Sequence, residues 1–173
     1  MLPVARYLVV GLLAAAASLA GSNASAGDPT LGAYSADTNF YCALNVDTGR
    51  GGCAASQDAL RIGVAADLGI KPLLAVLIAR LYDNASFDIT NGYLDVYAGA
   101  DCTVSKTSVD YQNPDLGAWK NRVSSFASFG NCATRVWSGT SYSGSVYPSS
   151  GYLVSSSNVG VAMNDNAESA QFS

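Results

Sequence analysis

After residue 72 the chain is built from short runs in which apolar and polar side chains alternate. In "GYLDVYAG" (92–99), Tyr93, Asp95 and Tyr97 share one face, and Leu94 and Val96 share the other. A period of two is the signature of a strand with one buried face. The runs "ATRVWSG" (133–139), "GSVYPS" (144–149) and "GYLVSSS" (151–157) continue the pattern. "LLAVLIARLY" (73–82) reads as a buried strand from its aliphatic and β-branched content. Gly, Ser, Asn and Pro separate these runs, which predicts an all-β sandwich of short strands.

The pattern is different before residue 73. "NFYCALNV" is a strand candidate, followed by "NVDTGRGGCAAS", which reads as turn and loop. In "DALRIGVAADLGI" (58–70), Leu60, Val64 and Leu68 stand at helical spacing, but Gly63 and Gly69 weaken a helix. A short helix and an irregular segment both fit that stretch. At the start, Arg6 precedes an apolar run from Leu8 to Ala20, and small residues lead to Ala24-Ser25-Ala26. This is the layout of a secretory signal cut after Ala26. The competing reading, a membrane anchor, is opposed by the shortness of the run against a span of ~20 residues. The organisation predicted is a signal over 1–26, an extension with a disulfide loop over 27–72, and a sandwich domain over 73–173.

Charge and cysteines narrow the function classes. With Arg6 removed, eight Lys+Arg face 13 Asp+Glu, a net charge of about −5. There is no basic run, which argues against nucleic acid as a partner. No later stretch is long and apolar enough to hold the mature chain in a membrane. Cys42, Cys53, Cys102 and Cys132 form an even set in an exported chain, which suggests two disulfides. Three pairings are open, and Cys42–Cys53 with Cys102–Cys132 is favoured. The chain has no histidine and no C-x-x-C, which disfavours structural zinc.

The second half contains a repeat. "LYDNASFDI" places Tyr82 and Phe87 five apart, and "VWSGTSYSG" places Trp137 and Tyr142 five apart with Gly144 two further on. A polar cluster ending in serine follows each pair, "WKNRVSSF" (119–126) and "NDNAESAQF" (164–172). Such a period of ~50 residues indicates a duplicated supersecondary unit, and a four-stranded Greek key fits its length. At these residues the chain resembles the βγ-crystallin family in its microbial secreted form. That family has an aromatic-x4-aromatic-x-Gly hairpin, matched by Trp137, Tyr142 and Gly144. Tyr82 and Phe87 match it too, with Ile89 in the glycine position.

The resemblance implies two Greek keys, about 73–126 and 132–173, in one βγ-crystallin-like sandwich. It also implies chemistry. The family's calcium signature is Asn/Asp-Asn/Asp-x-x-Ser/Thr-Ser. "DNAESA" supplies Asp165, Asn166 and Ser169, with Ala170 in place of the last serine. "KNRVSS" supplies Asn121, Ser124 and Ser125, with Lys120 in place of the first acid or amide. In the family a site joins the polar-Ser segment of one key to the hairpin loop of the other. Backbone oxygens near Asp83 and Ser138 are therefore expected to help. Calcium takes six to eight oxygen ligands at ~2.3–2.6 Å, which these residue types suit. The Lys120 ammonium has no lone pair and repels a cation, so at most one good site is expected, on the order of micromolar to millimolar affinity. The serine of the motif also ties loops to strands, and Asx residues stabilise turns unaided, so a purely structural role competes.

Enzymatic readings are weak. Without histidine the usual nucleophilic triads are absent. Asp83, Asp88, Asp95 and Asp101 are expected to be solvated surface charges rather than a glycosidase pair. Trp119 and Trp137 are expected to pack in the core or hairpins. The reading is therefore a secreted, non-enzymatic protein, with calcium as its expected ligand. The alternative allowed by the resemblance is a proteinase inhibitor or killer-toxin-like protein acting on a protein target. For it, "CALNVDTGRGGC" would present Arg50 at the tip of a braced loop.

Overall fold

The computed structural model describes residues 40–60 and 75–173. The segment read as a secretory signal, the start of the extension and most of the 58–70 stretch lie outside the described residues. Of that last stretch, Gln57–Ala59 forms a single helical turn.

Ten strands run through the described residues: β1 (Phe40–Asn45), β2 (Arg50–Ala54), β3 (Val76–Tyr82), β4 (Gly92–Ala98), β5 (Tyr111–Asn113), β6 (Ser125–Ser128), β7 (Thr134–Gly139), β8 (Ser143–Tyr147), β9 (Ser155–Ser156) and β10 (Ser169–Phe172). They form a six-stranded sheet in the order β2-β1-β4-β3-β6-β9 and a four-stranded sheet in the order β5-β10-β7-β8. Strands β3 to β6 are one Greek key and β7 to β10 the other. The third strand of each key crosses to the opposite sheet. β5 pairs with β10 through Tyr111↔Phe172 and Asn113↔Ala170, and β9 pairs with β6 through Ser156↔Phe126. This is the βγ-crystallin-like sandwich expected from the resemblance.

Alternation along the strands builds the core. Leu81, Leu94, Val96 and Phe126 of one sheet and Val136, Ala170 and Phe172 of the other are fully buried. With Leu116, Trp119, Val123, Val159 and Met163 they belong to one contiguous cluster. Burying a side chain of this size contributes about 1.5–3 kcal/mol. Trp119 is wholly buried and Trp137 is 9% exposed, as expected of packing residues.

The sequence reading needs three corrections. Arg50–Ala54 is a strand, not a loop: it pairs antiparallel with β1, which pairs parallel with β4. The extension therefore adds two strands to the first sheet. Glycines in a strand argue for a loop only where nothing pairs with them, and here β1 does. Second, "GYLVSSS" yields only the two-residue β9 and a bridge at Leu153.

Third, Asp95 is not a surface charge. It is 4% exposed and Tyr93 is 6% exposed, although both face away from Leu94 and Val96. Arg80 covers them: its Nε donates to Asp95 Oδ1 at 2.6 Å and its Nη2 to Oδ2 at 2.8 Å. The same guanidinium lies 3.8 Å from the Tyr93 ring centroid. Burial pushes the Asp95 carboxyl above its ordinary range, against the pull of Arg80. Burial, reinforced by Asp95, also pushes Tyr97 up to about 12.

The cysteines are joined as Cys42–Cys53 and Cys102–Cys132. The first links directly opposed residues of β1 and β2. The second ties the segment after β4 to the turn between the keys, beside the Cys102 N–H bond to the Gly130 carbonyl at 2.8 Å.

Candidate metal centre between the two keys

Each key closes with the same folded hairpin. Tyr82 and Phe87 meet edge to face with centroids 5.7 Å apart, and Trp137 and Tyr142 do so at 5.5 Å. The bend is made by two successive residues in left-handed backbone, Ser86 and Phe87 at φ 61° each, and Ser141 and Tyr142 at φ 53° and 60°. A buried serine secures each bend. Ser125 Oγ donates to the Asn84 carbonyl at 2.6 Å and accepts from the Phe87 N–H at 3.1 Å. Ser169 Oγ donates to the Gly139 carbonyl at 2.7 Å and accepts from the Tyr142 N–H at 3.1 Å.

The missing glycine at Ile89 has a structural reason. β3 and β4 pair Tyr82 with Tyr93, eleven residues on, whereas β7 and β8 pair Trp137 with Val146, nine on. The first hairpin is two residues longer, and its positive φ falls at Gly92, at 108°. In the second hairpin it falls at Gly144, at 77°, where a Cβ would lie 2.5 Å from Ser138 Oγ. At Gly92 a Cβ would collide with the Phe40 carbonyl of β1, so the added strand also requires this glycine.

The serines set the register of the two polar segments. Ser125 corresponds to Ser169, so Asn121 corresponds to Asp165, not to Asn166. Both stand at positive φ, 60° and 51°. Their backbones cross-bond reciprocally: Asn121 N–H to the Ala167 carbonyl at 2.8 Å, and Asp165 N–H to the Val123 carbonyl at 3.2 Å. The second segment thus runs Asn164 to Ser169. Glu168 takes the place of Ser124, Asn166 that of Arg122, and Ala170 is no departure. Lys120 corresponds to Asn164, and its ammonium lies 3.3 Å from Asp115.

In this register Ser124 and Asp165 come together across the keys, with Ser124 Oγ donating to Asp165 Oδ1 at 3.2 Å. The exposed Asp165 also accepts from Asn164 Nδ2 at 2.7 Å. Asp83, at the end of β3, faces the same junction. Burial pushes its carboxyl up, Arg122 pulls it down, and the charge of Asp165 raises it further. Arg122 Nη2 donates to Asp83 Oδ2 at 2.9 Å. Two carboxylates and a hydroxyl are hard oxygen donors of the kind calcium takes, but one carboxylate already has a cationic partner. Among the described residues no three His, Cys, Asp or Glu side chains gather as a metal cluster.

The other expected ligands lie elsewhere. The Ser169 hydroxyl is committed to its hairpin. Asn166 is exposed, and its Nδ2 donates to the Ala162 carbonyl at 3.1 Å. Asn121 lies at the related junction, its N–H on the carbonyl of Ala167, whose neighbour Glu168 bonds the Trp137 carbonyl; there Ser138 Oγ accepts from the Ser145 N–H at 2.9 Å. The sequence reading took the Asp83 side chain for a solvated surface charge and expected only backbone oxygens there, but it is 16% exposed and paired with Arg122 at the junction. Its place one residue after the first aromatic was the available signal.

Arg50 is not at a loop tip. It opens β2, and the turn is made by residues 46–49. That turn is held by Asp47 Oδ2, which accepts from the Gly99 N–H at 2.6 Å. Asp88 is exposed and accepts from Thr90 at 2.9 and 2.6 Å, which holds its carboxyl below the ordinary range.

No family model matches the chain, and no curated protein matches it. Among solved structures it is similar to a βγ-crystallin domain from Flavobacterium johnsoniae, at 11% identity and a TM-score of 0.38. The match covers 56% of this chain and 93% of that one. The resemblance to the βγ-crystallins is thus carried by the chain's own topology: two Greek keys in one sandwich, each closed by a folded aromatic hairpin that a buried serine ties down.

Proposed function

We propose that the chain is a secreted, non-enzymatic βγ-crystallin-like protein that calcium stabilises at the Asp83–Ser124–Asp165 junction. The observation that carries this reading is the 3.2 Å approach of Ser124 Oγ to Asp165 Oδ1, which brings oxygen donors from both keys to one part-buried point that solvent reaches at Asp165. Asp83, Ser124 and Asp165 would hold the ion, which would bridge the keys and neutralise the two carboxylates. Two disulfides support an extracellular setting.

A ligand bound only by the native state stabilises it by mass action, about 2.7 kcal/mol at a hundredfold excess over Kd. For a domain of this size that is a shift on the order of 10 °C. Thermal melts with calcium chloride and with chelator test it. A saturable rise in Tm that Asp165→Ala abolishes is expected, and an unchanged Tm in the intact protein would overturn the reading.

A second reading rests on the β1–β2 hairpin. Its turn is exposed at Asp47 and Thr48, and is braced by Cys42–Cys53 and by the Asp47–Gly99 bond. Rigid exposed turns of this kind suit an inhibitor or toxin that docks on another protein. A protease panel with intact and Thr48→Ala protein tests it, and full activity of every protease in the presence of the intact protein removes it.

A further inference from the structure

Arg122 is held in a specific way. Its Nη2 lies 2.9 Å from Asp83 Oδ2 and 3.5 Å from the Asn91 carbonyl. Its guanidinium carbon is 5.1 Å from the ring centroid of Phe40 and 5.4 Å from that of Trp119. The Nε is buried without a hydrogen-bond partner, so the group is positioned by stacking and by its one carboxylate. Trp119 belongs to the core of the keys, but Phe40 is the first residue of β1, in the added hairpin. The Asn91 carbonyl that receives Arg122 also receives the Phe40 N–H, at 3.1 Å. The related position in the second key is the neutral Asn166, so the cation has no counterpart there.

We infer that Arg122 is a built-in counter-cation that competes with calcium for Asp83, and that the N-terminal hairpin, through Phe40, sets how strongly it competes. The inference rests on the calcium reading of the junction. A guanidinium stacked between two rings keeps its full charge and its place. A divalent ion arriving at Asp83 meets that charge at close range in partly buried surroundings, where screening is weak. Calcium must then displace Arg122 or bind with Asp83 unavailable. Loosening Phe40 weakens the competitor without touching any oxygen donor. The extension is thus a regulator of the site as well as an addition to the sheet.

The test is calcium chloride titration of the full chain by calorimetry, with apo melting temperatures measured alongside. Arg122→Gln is expected to lower the calcium Kd at least tenfold. It should also lower the apo Tm, because Asp83 loses its partner, with calcium restoring it. Phe40→Ala keeps every ionic group and is expected to lower the Kd about threefold; it serves as the second variant if Arg122→Gln does not fold without metal. Adding Asp83→Asn to Arg122→Gln should return the affinity toward wild type. If wild type and Arg122→Gln bind equally, the competition is overturned while the calcium reading stands. If neither binds, both fall. If Phe40→Ala binds as wild type while Arg122→Gln binds tighter, the role of the hairpin is overturned.

Discussion

The two Greek keys are near copies in their hairpins and differ in their junctions. Both bend through two left-handed residues, both stack a ring pair at almost the same distance, and both are secured by one serine hydroxyl with bonds of almost equal length. At the junctions the backbone still agrees, at Asn121 and Asp165, but the side chains do not. Asp83, Arg122 and Ser124 of the first key stand where the second has Ser138, Asn166 and Glu168. Backbone geometry tolerates few solutions, so the hairpin is kept. The junction side chains are held by partners of their own, Arg122 by Asp83 and two rings and Ser124 by Asp165, so they diverge while the backbone does not.

The largest test of this comparison lies in the glycines. Gly92→Ala places a Cβ against the Phe40 carbonyl at a φ of 108°, so we expect a loss of about 3–5 kcal/mol and detachment of β1. Gly144→Ala meets only a side-chain hydroxyl, and we expect about 1–2 kcal/mol. Denaturant midpoints of the two variants measure the difference. Equal losses would show that β1 does not depend on Gly92.

The serines come next. Ser125→Ala and Ser169→Ala each strand a hairpin carbonyl and N–H, and each should cost about 1–3 kcal/mol. The two losses should agree within about 0.5 kcal/mol, because the bonds match. A clear inequality would show that the two hairpins are alike in geometry only.

The smallest effect is a pH slope confined to the first key. The Asp95 carboxyl titrates above its ordinary range because it is buried. The folded chain therefore retains that proton at a pH where the unfolded chain has released it. This part of the stability is present below the unfolded value of ~3.9 and is lost as pH rises through the raised folded value. Asp95→Asn should remove the Asp95 share of this slope and leave that of Asp83, whose carboxyl is also raised. Val136→Ala, in the second key, should lower stability without changing the slope. Urea titrations across that window would show both.

Much of the fold was legible. Strands β4, β7 and β8 announce themselves by alternation and β3 by its aliphatic and β-branched content, and the ring spacing locates both hairpins. β5 was not seen, because three residues pairing with a strand of the other key leave no local period. Asp95 was misread because a Tyr-Asp-Tyr alternation looks wet when its Arg80 cover lies on another strand. The polar segment slipped by one residue because "NDN" offers an Asx at every register. Counting back four from each hairpin serine, to Asn121 and to Asp165, would have settled it.

The exchange of β5 and β9 has a consequence for how the molecule comes apart. Each sheet borrows one strand from the opposite key, so neither half of the sequence contains a complete sheet. A fragment ending between the keys would lack the β6 edge partner and leave its own β5 unpaired. The sandwich should therefore melt in one step, with calorimetric and van't Hoff enthalpies in agreement. A duplicated sequence has become a single cooperative unit.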